Sequence, residues 1–364
     1  MRKQIGFFTG ARSDYGIMKR LIDAVAKSDK LDYQLYVSGV HLLPSFGFTI
    51  DEIKNDGLTI KEVIEVYRED YEPGFVEFSD LITKLSGILK NEKPDVMFIL
   101  GDRSEAYAAA LACHFLKVPI IHSGGGTITE GAVDNIYRYN ISNLSDVIFA
   151  TSKGSYNRLL NAPITSKKKL IFTGSLAIDA IERFRQEPIP IASIIPELKN
   201  KNYALMTFHP VTQSEEAIDQ AMDLSLKLIT ERGINVLITY PNNDPGYKSI
   251  IKVIEKWQNH DNVIVRKNLG AIGYYSALNS CEFVIGNSSS GLMEAPYFNK
   301  QVVNIGTRQE GREHDSNVKT ISCDSDNIRQ VIENGVRNAW PEVTCERIYG
   351  NGNALKTIMD YLNH

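Results

Sequence analysis

The sequence predicts an α/β protein made of two doubly wound domains. With 364 residues the chain is too long for one ordinary hydrophobic core, so two domains are expected. Short apolar runs typical of buried parallel strands alternate with amphipathic helical segments. The alternation stops at about Gln186–Lys201, which is rich in Pro, Ile and Lys, and then restarts. Because repeated strand–helix units imply right-handed crossovers, we expect one parallel sheet in each of two domains, at residues 1–180 and 181–351.

The elements of the first domain follow from apolar periodicity and turn residues. A strand at Gln4–Thr9 leads into a helix at Tyr15–Ala26, which Ser13 or Asp14 is placed to cap. The other expected elements are a strand at Leu31–Val40, helices at Asp51–Asn55 and Phe75–Lys90, a strand at Pro94–Leu100, a helix at Glu105–Leu116, and strands at Val118–Ile121, Val147–Ala150 and Leu170–Thr173.

The second domain repeats this alternation. Its expected elements are a strand at Tyr203–Phe208, a helix from about Glu215, a strand at Val236–Tyr240, a helix at Tyr247–Trp257, and strands at Val263–Val265, Phe283–Ile285 and Val302–Ile305.

Composition excludes several functional classes. A net charge of −4 without any basic block argues against a nucleic-acid partner and against an anionic membrane surface. The four cysteines are scattered without metal-ligand spacing, as expected for free thiols in a reducing cytosol. The N-terminal residues enter a strand directly, without a signal-peptide or membrane-spanning pattern. We therefore expect a cytoplasmic protein.

A loop of small residues in the second domain is the first candidate site. The loop Gly286–Gly291, G-N-S-S-S-G, follows an apolar strand and precedes a helix-compatible run, Leu292–Phe298. Strand, Gly/Ser loop and helix start form a geometry that aims backbone N–H groups at an anion. Glu294 lies about one helical turn further, within reach of a ribose diol. The alternative interpretation is an ordinary strand–helix turn capped by serine.

Charged and glycine-rich residues follow nearly every predicted strand. Each has a structural explanation by itself, such as a helix cap, a buried histidine or a plain turn. Together they favour a ligand site, because ligands of doubly wound sheets bind beyond the carboxyl ends of the strands. The residues are Arg12, Asp14, Asp102, Arg103, His122, His209, Asn242, the Gly/Ser loop, Arg308 and Arg312.

Six motifs resemble the UDP-N-acetylglucosamine 2-epimerase family, and more closely its hydrolysing branch of sialic and legionaminic acid synthesis. They occur in order within residues 1–320: G-A-R-S-D-Y-G (10–16), L-G-D-R (100–103), H-S-G-G-G-T-I-T-E-G-A-V-D (122–134), F-H-P-V-T (208–212), G-N-S-S-S-G-L-M-E (286–294) and N-I-G-T-R-Q-E-G-R (304–312). The resemblance implies two Rossmann-like domains facing across a cleft, the glycosyltransferase-B architecture. It also implies that the last helix, Ala354–Leu362 within residues 352–364, packs back on the first domain.

The reaction that the resemblance implies has two steps. UDP leaves from C1 of the sugar as the C2 proton is removed, which gives a 2-acetamidoglucal. Water then adds at C1 while the opposite face of C2 is protonated, and N-acetylmannosamine is released when UDP-N-acetylglucosamine is the substrate. Such chemistry needs acid–base groups around the ring and cations at the diphosphate. The residues matched to catalytic roles are Asp102, Glu130, Asp134 and His209, the last beside a possible capping box, Thr212–Glu215.

The resemblance assigns the nucleotide to the second domain. Ser288, Ser289 and Gly291 match the phosphate contacts, Glu294 the ribose contact and Tyr274 the uracil region. The further predicted substrate-binding residues are Arg12, Arg103, His122, Arg138, Asn242 and Arg312, with Arg12 and Arg312 as diphosphate cations. No cofactor and no metal are expected; the partner is the UDP-sugar, and the family implies a homodimer or homotetramer.

Two departures from the family pattern concern the sugar. Gly124 stands where many relatives have a glutamate, and Tyr139 where they usually have a histidine. UDP-N,N'-diacetylbacillosamine is therefore the alternative substrate. A non-hydrolysing 2-epimerase, a glycosyltransferase of the same architecture and a non-catalytic nucleotide-sugar binder remain alternative functions.

Overall fold

The computed structural model describes residues 2–68, 74–129, 134–163, 168–211, 216–242, 244–334 and 345–364. The chain forms two compact units. Unit 1 comprises residues 1–127, 134–180 and 349–364, and unit 2 comprises residues 128–133 and 181–348. Each unit is built on its own parallel sheet with helices on both faces.

The sheet of unit 1 has seven strands in the order β3-β2-β1-β4-β5-β6-β7, all parallel. Strand order reverses between β1 and β4, which are adjacent. The strands are β1 (Lys3–Thr9), β2 (Leu31–Ser38), β3 (Ile60–Ile64), β4 (Val96–Leu100), β5 (Ile120–Ser123), β6 (Val147–Ala150) and β7 (Lys169–Phe172).

The helices of this unit cover both sheet faces with their buried apolar residues. They are α1 (Arg12–Ala26), α2 (Ile50–Asn55), α3 (Phe75–Asn91), α4 (Ser104–Phe115), α5 (Asp134–Leu144) and α6 (Lys153–Leu160), followed by α7 (Leu176–Gln186), which runs from unit 1 into unit 2. Helix α1 packs on one face through Met18, Leu21 and Ile22, whereas α3 and α4 cover the other.

The sheet of unit 2 repeats this arrangement with six parallel strands in the order β10-β9-β8-β11-β12-β13. Here strand order reverses between β8 and β11. The elements are β8 (Tyr203–Thr207), α8 (Ile218–Thr230), β9 (Asn235–Thr239), α9 (Tyr247–Trp257), β10 (Val263–Arg266), α10 (Gly270–Ser280), β11 (Phe283–Gly286), α11 (Ser289–Met293), β12 (Val302–Ile305), β13 (Val318–Ile321) and α12 (Ser325–Glu333).

The last helix, α13 (Ala354–Leu362), belongs to unit 1. Its buried residues Ala354, Ile358 and Leu362 join the core that α1 also contributes to. The carboxylate of Asp179 accepts hydrogen bonds from the backbone N–H groups of Ala354 (3.0 Å) and Leu355 (2.6 Å), which fixes the start of the helix. Short 3-10 turns occur at Gly39–Leu42, Pro44–Phe46, Ile191–Ser193, Pro196–Leu198 and Ala295–Phe298.

Local differences from the sequence expectation have physical causes. Helix α1 begins at Arg12 with Ala11 as its N-cap and no side-chain cap, so Ser13 and Asp14 lie in its first turn and the predicted cap is wrong. Strand β2 ends at Ser38 because Gly39 turns the chain at φ +65°, where a Cβ would lie 2.3 Å from the Gly10 carbonyl oxygen. Helix α8 begins at Ile218, and the possible capping box at Thr212–Glu215 lies outside the described residues.

Strands β3 and β13 and helix α12 were not anticipated. Strand β3 and strand β13 lie at sheet edges, where their exposed side chains weaken the apolar signal. No helix within the described ranges is long and apolar enough to cross a bilayer.

Candidate active site

In unit 2 the predicted nucleotide residues meet where strand order reverses. Strands β8 and β11 lie side by side, with Gly286 opposite Thr207, so the loops that follow them start together at the carboxyl edge of the sheet. Gly286 has φ +139°, and a Cβ there would lie 1.9 Å from the Thr207 carbonyl oxygen. Only glycine fits this close approach, which brings the Gly/Ser loop against the loop carrying His209.

The Gly/Ser loop is ordered by its own hydroxyl groups. Ser288 is the N-cap of α11, and its Oγ accepts a hydrogen bond from the Ser290 N–H at 3.4 Å. The Tyr274 hydroxyl on α10 is hydrogen-bonded to Ser290 Oγ. Helix α11 has five residues and passes into the 3-10 turn with Pro296, so the expected continuous helix from Leu292 to Phe298 is wrong. Ser288 and Ser289 open this short helix at the edge of the sheet.

Asn287 joins the two loops and is fully buried. Its Oδ1 accepts the His209 backbone N–H at 2.7 Å, and its Nδ2 donates to the His209 carbonyl at 2.8 Å. Its own backbone N–H donates to the Thr207 carbonyl at 3.1 Å, and its carbonyl accepts from Gln309 Nε2 at 2.9 Å. Asn287 thereby holds the Gly/Ser loop and His209 in one register.

The contacts of His209 define its tautomer. Its Nδ1 accepts a hydrogen bond from the Asn242 backbone N–H at 3.0 Å, so the ring proton lies on Nε2. Burial and the Arg308 guanidinium hold the pKa of His209 well below its ordinary value. The described residues place no hydrogen-bond partner at Nε2. His209 therefore presents a neutral N–H donor. This group can bind an anion but is a weak acid, so the role expected of His209 is limited to contact with an anion.

Glu294 follows α11 and is partly buried. Burial raises the pKa of Glu294 to about 7. The pKa of Tyr274 is raised as well, by burial first and then by the nearby Glu294 carboxyl group. The partly buried Glu294 carboxyl group, with its raised pKa, is suited to accept hydrogen bonds from neutral hydroxyl groups such as those of a ribose diol.

The loop after β12 places two arginines near the Gly/Ser loop. Arg308 is buried and forms an ion pair with Asp244 (3.2 Å), while its Nη1 donates to the Asn287 carbonyl at 3.5 Å. Arg312 Nη1 contacts the Met293 sulfur at 2.9 Å, at the end of α11. Asn242 contributes its backbone N–H to His209, and its side chain is exposed.

In unit 1 the predicted acid Asp102 follows β4, where strand order also reverses. The Asp102 carboxylate forms an ion pair with Arg138 on α5. Arg138 is 1% exposed and also donates to the Thr127 carbonyl (2.8 Å) and to Asn135 Oδ1 (2.7 Å). Asp134 begins α5, one turn before Arg138, as expected. Glu130 lies outside the described residues.

His122 on β5 is fully buried and both its ring nitrogens are used within the fold. Nε2 donates to the Gly101 carbonyl at 2.8 Å, so Nδ1 accepts from the Ser142 hydroxyl at 2.9 Å. Burial lowers the pKa of His122 to about 4. These contacts make His122 a neutral residue that positions the backbone just before Asp102. Its predicted contact with substrate remains a prediction.

Two further predicted arginines begin helices of unit 1. Arg12 is the first residue of α1, and its Nε donates to Glu52 Oε2 on α2 at 2.7 Å. Arg103 is the N-cap of α4, and its Nη2 donates to Glu105 Oε1 at 3.3 Å. Glu105 is 2% exposed. Burial would raise the pKa of Glu105, but Arg103 and hydrogen bonds hold it below its ordinary value.

The family model described as UDP-N-acetylglucosamine 2-epimerase matches residues 23–363. The chain belongs to the UDP-N-acetylglucosamine 2-epimerase family. This confirms the family predicted from the six motifs.

Similar proteins lie in several branches of this family. A UDP-N,N'-diacetylbacillosamine 2-epimerase (hydrolyzing) from Legionella pneumophila is 30% identical over 361 residues, covering 97% of this chain and 93% of that protein. A UDP-N-acetylglucosamine 2-epimerase from Neisseria meningitidis serogroup B is 28% identical, covering 91% of this chain and 87% of that protein. The S. aureus MnaA–UDP co-structure superposes with a TM-score of 0.83 at 22% identity, covering 100% of this chain and 96% of that chain.

The predicted fold class, two Rossmann-like domains of the glycosyltransferase-B type, is confirmed by the two parallel sheets and by this structural similarity. Within each unit the structure brings those predicted site residues that lie in the described ranges to the carboxyl edge of its sheet. Their roles remain predictions. Sequence reasoning missed the role of Asn287, although its place directly after a buried strand was a signal. It placed Asp14 among the strand-end residues but gave it no role other than a possible helix cap.

Proposed function

We propose that this protein is a hydrolysing 2-epimerase that converts UDP-N-acetylglucosamine and water to N-acetylmannosamine and UDP. The observation that carries the proposal is the Asp102–Arg138 pair. It lies where strand order reverses in unit 1, the place at which doubly wound sheets bind ligands, and the buried guanidinium compensates the charge of the carboxylate. Family membership supplies the class of substrate.

The first half of the proposed reaction removes the C2 proton and expels UDP. Asp102 takes the proton, the C–H electron pair forms the C1=C2 bond, and the C1–O bond breaks with its electrons on the diphosphate. The departing charge is met by the hydroxyl and N–H groups of Ser288, Ser289 and Gly291. The neutral Nε2–H of His209 adds one donor to the β-phosphate, and Arg12 and Arg312 supply the cations.

The nucleoside is bound beyond the phosphates in this proposal. Glu294 accepts hydrogen bonds from the ribose hydroxyls, and Tyr274 lies beside the uracil ring while its hydroxyl orders Ser290. Because the Glu294 side chain is partly buried, a diol that replaces water there gains a hydrogen bond of enhanced strength.

The second half hydrates the 2-acetamidoglucal. The oxygen of water bonds to C1, one proton of that water passes to a carboxylate, and the C1=C2 pair takes a proton at C2 on the face opposite to the one that lost it. Glu130 and Asp134, which the resemblance matches to catalytic roles without assigning either to a step, are the candidates to take the proton of that water. Arg103, His122, Arg138 and Asn242 are placed around the sugar or behind the acids in this proposal.

UDP-N,N'-diacetylbacillosamine is the second candidate substrate. Gly124 has no side chain where many relatives carry a glutamate, and a Cβ built on it would meet only the Gly101 backbone at 3.8 Å. The space could accept a larger substituent on the sugar. The Legionella pneumophila relative is named for this substrate, which favours it further.

The deciding experiment incubates the protein with each UDP-sugar alone in D2O. UDP release together with a free C2-inverted sugar carrying deuterium at C2 supports the hydrolysing epimerase. Formation of UDP-N-acetylmannosamine without UDP release would instead show a non-hydrolysing epimerase. Slow release of uninverted sugar would indicate a glycosyltransferase, and UDP binding without turnover a binding protein. Activity that is unchanged by excess chelator is expected, because arginines and N–H groups neutralise the diphosphate.

A further inference from the structure

Asp14 is a carboxyl group that the proposed mechanism has not used. It lies in the first turn of α1, directly after β1, and its Oδ1 accepts a hydrogen bond from the Ser13 hydroxyl at 3.4 Å. Strand β1 pairs with β4, so this turn lies next to the loop that carries Asp102. The packing is tight: a Cβ built on Gly10 would lie 2.9 Å from Glu105 Cβ.

Three carboxyl groups and two guanidinium groups meet at this reversal of strand order. Arg138 pairs with Asp102, and Arg103 pairs with Glu105, which Tyr67 also hydrogen-bonds. Within the described part of the chain, Asp14 has no guanidinium partner of its own. The groups that act on its charge are Arg103, Glu105 and Asp102. A third negative charge in this cluster would be uncompensated, so the proton is favoured on Asp14.

The titration of Asp14 agrees with that arrangement. Its side chain is half-buried, and this desolvation raises its pKa to about 7; Arg103 lowers the pKa, while the Glu105 and Asp102 carboxylates raise it. The two carboxyl groups therefore differ in environment: Asp102 is paired with the Arg138 guanidinium, whereas Asp14, with a pKa of about 7, is about half protonated at neutral pH. Such a difference assigns acid and base roles in enzymes that use paired carboxyl groups.

We propose that Asp14 is the acid that returns a proton to C2 of the sugar in the hydration half of the reaction, an assignment that rests on the proposed function. Bonds, electron pairs and protons balance over the two halves of the reaction. Asp102 takes the C2 proton in the first half, and in the second half the Asp14 O–H bond breaks as the C1=C2 electron pair forms the new C2–H bond. Water supplies oxygen to C1 and one proton to a carboxylate. Asp14 regains a proton from solvent, and the surplus proton leaves with UDP or solvent.

The test separates the two halves of the reaction. Asp14→Asn is incubated with the UDP-sugar that wild type turns over, and UDP, 2-acetamidoglucal and free sugar are measured. We expect UDP release within about tenfold of wild type, but accumulation of the glucal and a loss of about 10²-fold or more in hydration of added glucal. Wild-type hydration should fall as pH rises through about 7, because the acid form of Asp14 is lost, and Asp14→Asn should lack this dependence.

Matched variants keep the test decisive. Asp51→Asn, an exposed carboxylate on α2, should match wild type in both halves. Asp14→Glu retains a carboxyl group, so it should recover hydration in part with a shifted pH limb, and it serves if Asp14→Asn does not fold. Equal loss of elimination and hydration, or wild-type hydration in Asp14→Asn, overturns the assignment. An unchanged pH limb in Asp14→Glu does so too. A wild type that turns over neither UDP-sugar overturns the proposed function itself, a different result.

Discussion

At the scale of single residues, Asp102 is the group whose contacts most constrain the chemistry. Its partner Arg138 is itself fixed by Thr127 and Asn135, so the carboxylate is held in one orientation. Asp102→Asn removes the base while keeping the shape of the side chain. We expect kcat to fall by about 10²-fold or more, with UDP affinity little changed, because acid–base groups typically contribute roughly 10²–10⁴-fold. Steady-state kinetics and UDP titration measure both; near-wild-type turnover would remove Asp102 from the mechanism.

Glu294 gives a second prediction at this scale. Burial raises its pKa to about 7 in the free protein, so it is largely protonated at pH 6. Ribose hydroxyl groups that donate to it favour the carboxylate, and UDP binding then releases a proton below about pH 7. The affinity of wild type should thus rise with pH through about 7 relative to that of Glu294→Gln. Calorimetry in buffers of different ionisation enthalpy measures the released proton, and equal release from both proteins would contradict the ribose contact.

At the scale of elements, the connection between the β8 and β11 loops depends on Asn287. Asn287→Ala would leave the buried His209 backbone N–H and carbonyl without their side-chain partners, each of which costs about 1–3 kcal/mol. We expect a loss of about 2–4 kcal/mol in unfolding free energy and weaker UDP binding.

Asn287→Asp is the matched variant for the Asn287–His209 clamp, the two hydrogen bonds between the Asn287 side chain and the His209 backbone. It keeps the acceptor for the His209 N–H but loses the donor to the His209 carbonyl. We therefore expect it to lower the unfolding free energy too, but through the unpaired carbonyl and not through the N–H. Urea denaturation gives both values. A stable Asn287→Ala protein with unchanged UDP affinity would show that the two loops are held together by other contacts.

Sequence patterns predicted elements better than they predicted connections between elements. Sequence patterns located β6, α9 and β12 at their observed bounds, because burial of those segments is encoded in the local sequence, whereas α13 was expected from the family resemblance. The Asn287–His209 clamp joins residues 78 positions apart, and nothing local indicates it. The state of Asp14 depends in the same way on Arg103 and Glu105, which approach it only after β1 and β4 pair.

At the scale of the whole molecule, the two sheets share one topology. Six strands of unit 1 and all six of unit 2 follow the order 3-2-1-4-5-6 within their own sheets, with the predicted site residues where the order reverses. The alternation of strand and helix signals predicted the two parallel, doubly wound sheets but not their strand order. The sequence pattern did not predict the edge strands β3 and β13, because their half-exposed side chains do not form an apolar run.

The chain also closes unit 1 with its last helix. Ile358 on α13 is fully buried in the core of unit 1, far in sequence from that unit's other residues. Ile358→Ala removes buried methyl groups and leaves a cavity, which should lower the unfolding free energy of unit 1 by about 2–5 kcal/mol. Lys356→Ala, on the exposed face of the same helix, should change it by less than about 0.5 kcal/mol.

A single tryptophan makes the affected unit observable. Trp257 lies on α9 of unit 2, so once Trp340, the other tryptophan of the sequence, is replaced by phenylalanine, tryptophan fluorescence reports unfolding of unit 2, whereas far-UV circular dichroism reports both units. In Ile358→Ala, part of the circular dichroism transition should move to lower denaturant, and the fluorescence transition should move less, because the lost contacts lie in the core of unit 1. Saturating UDP should then move the fluorescence transition upward, since it binds through unit 2 in the proposed function. An Ile358→Ala protein that unfolds like Lys356→Ala would mean that α13 contributes little to unit 1 despite its burial.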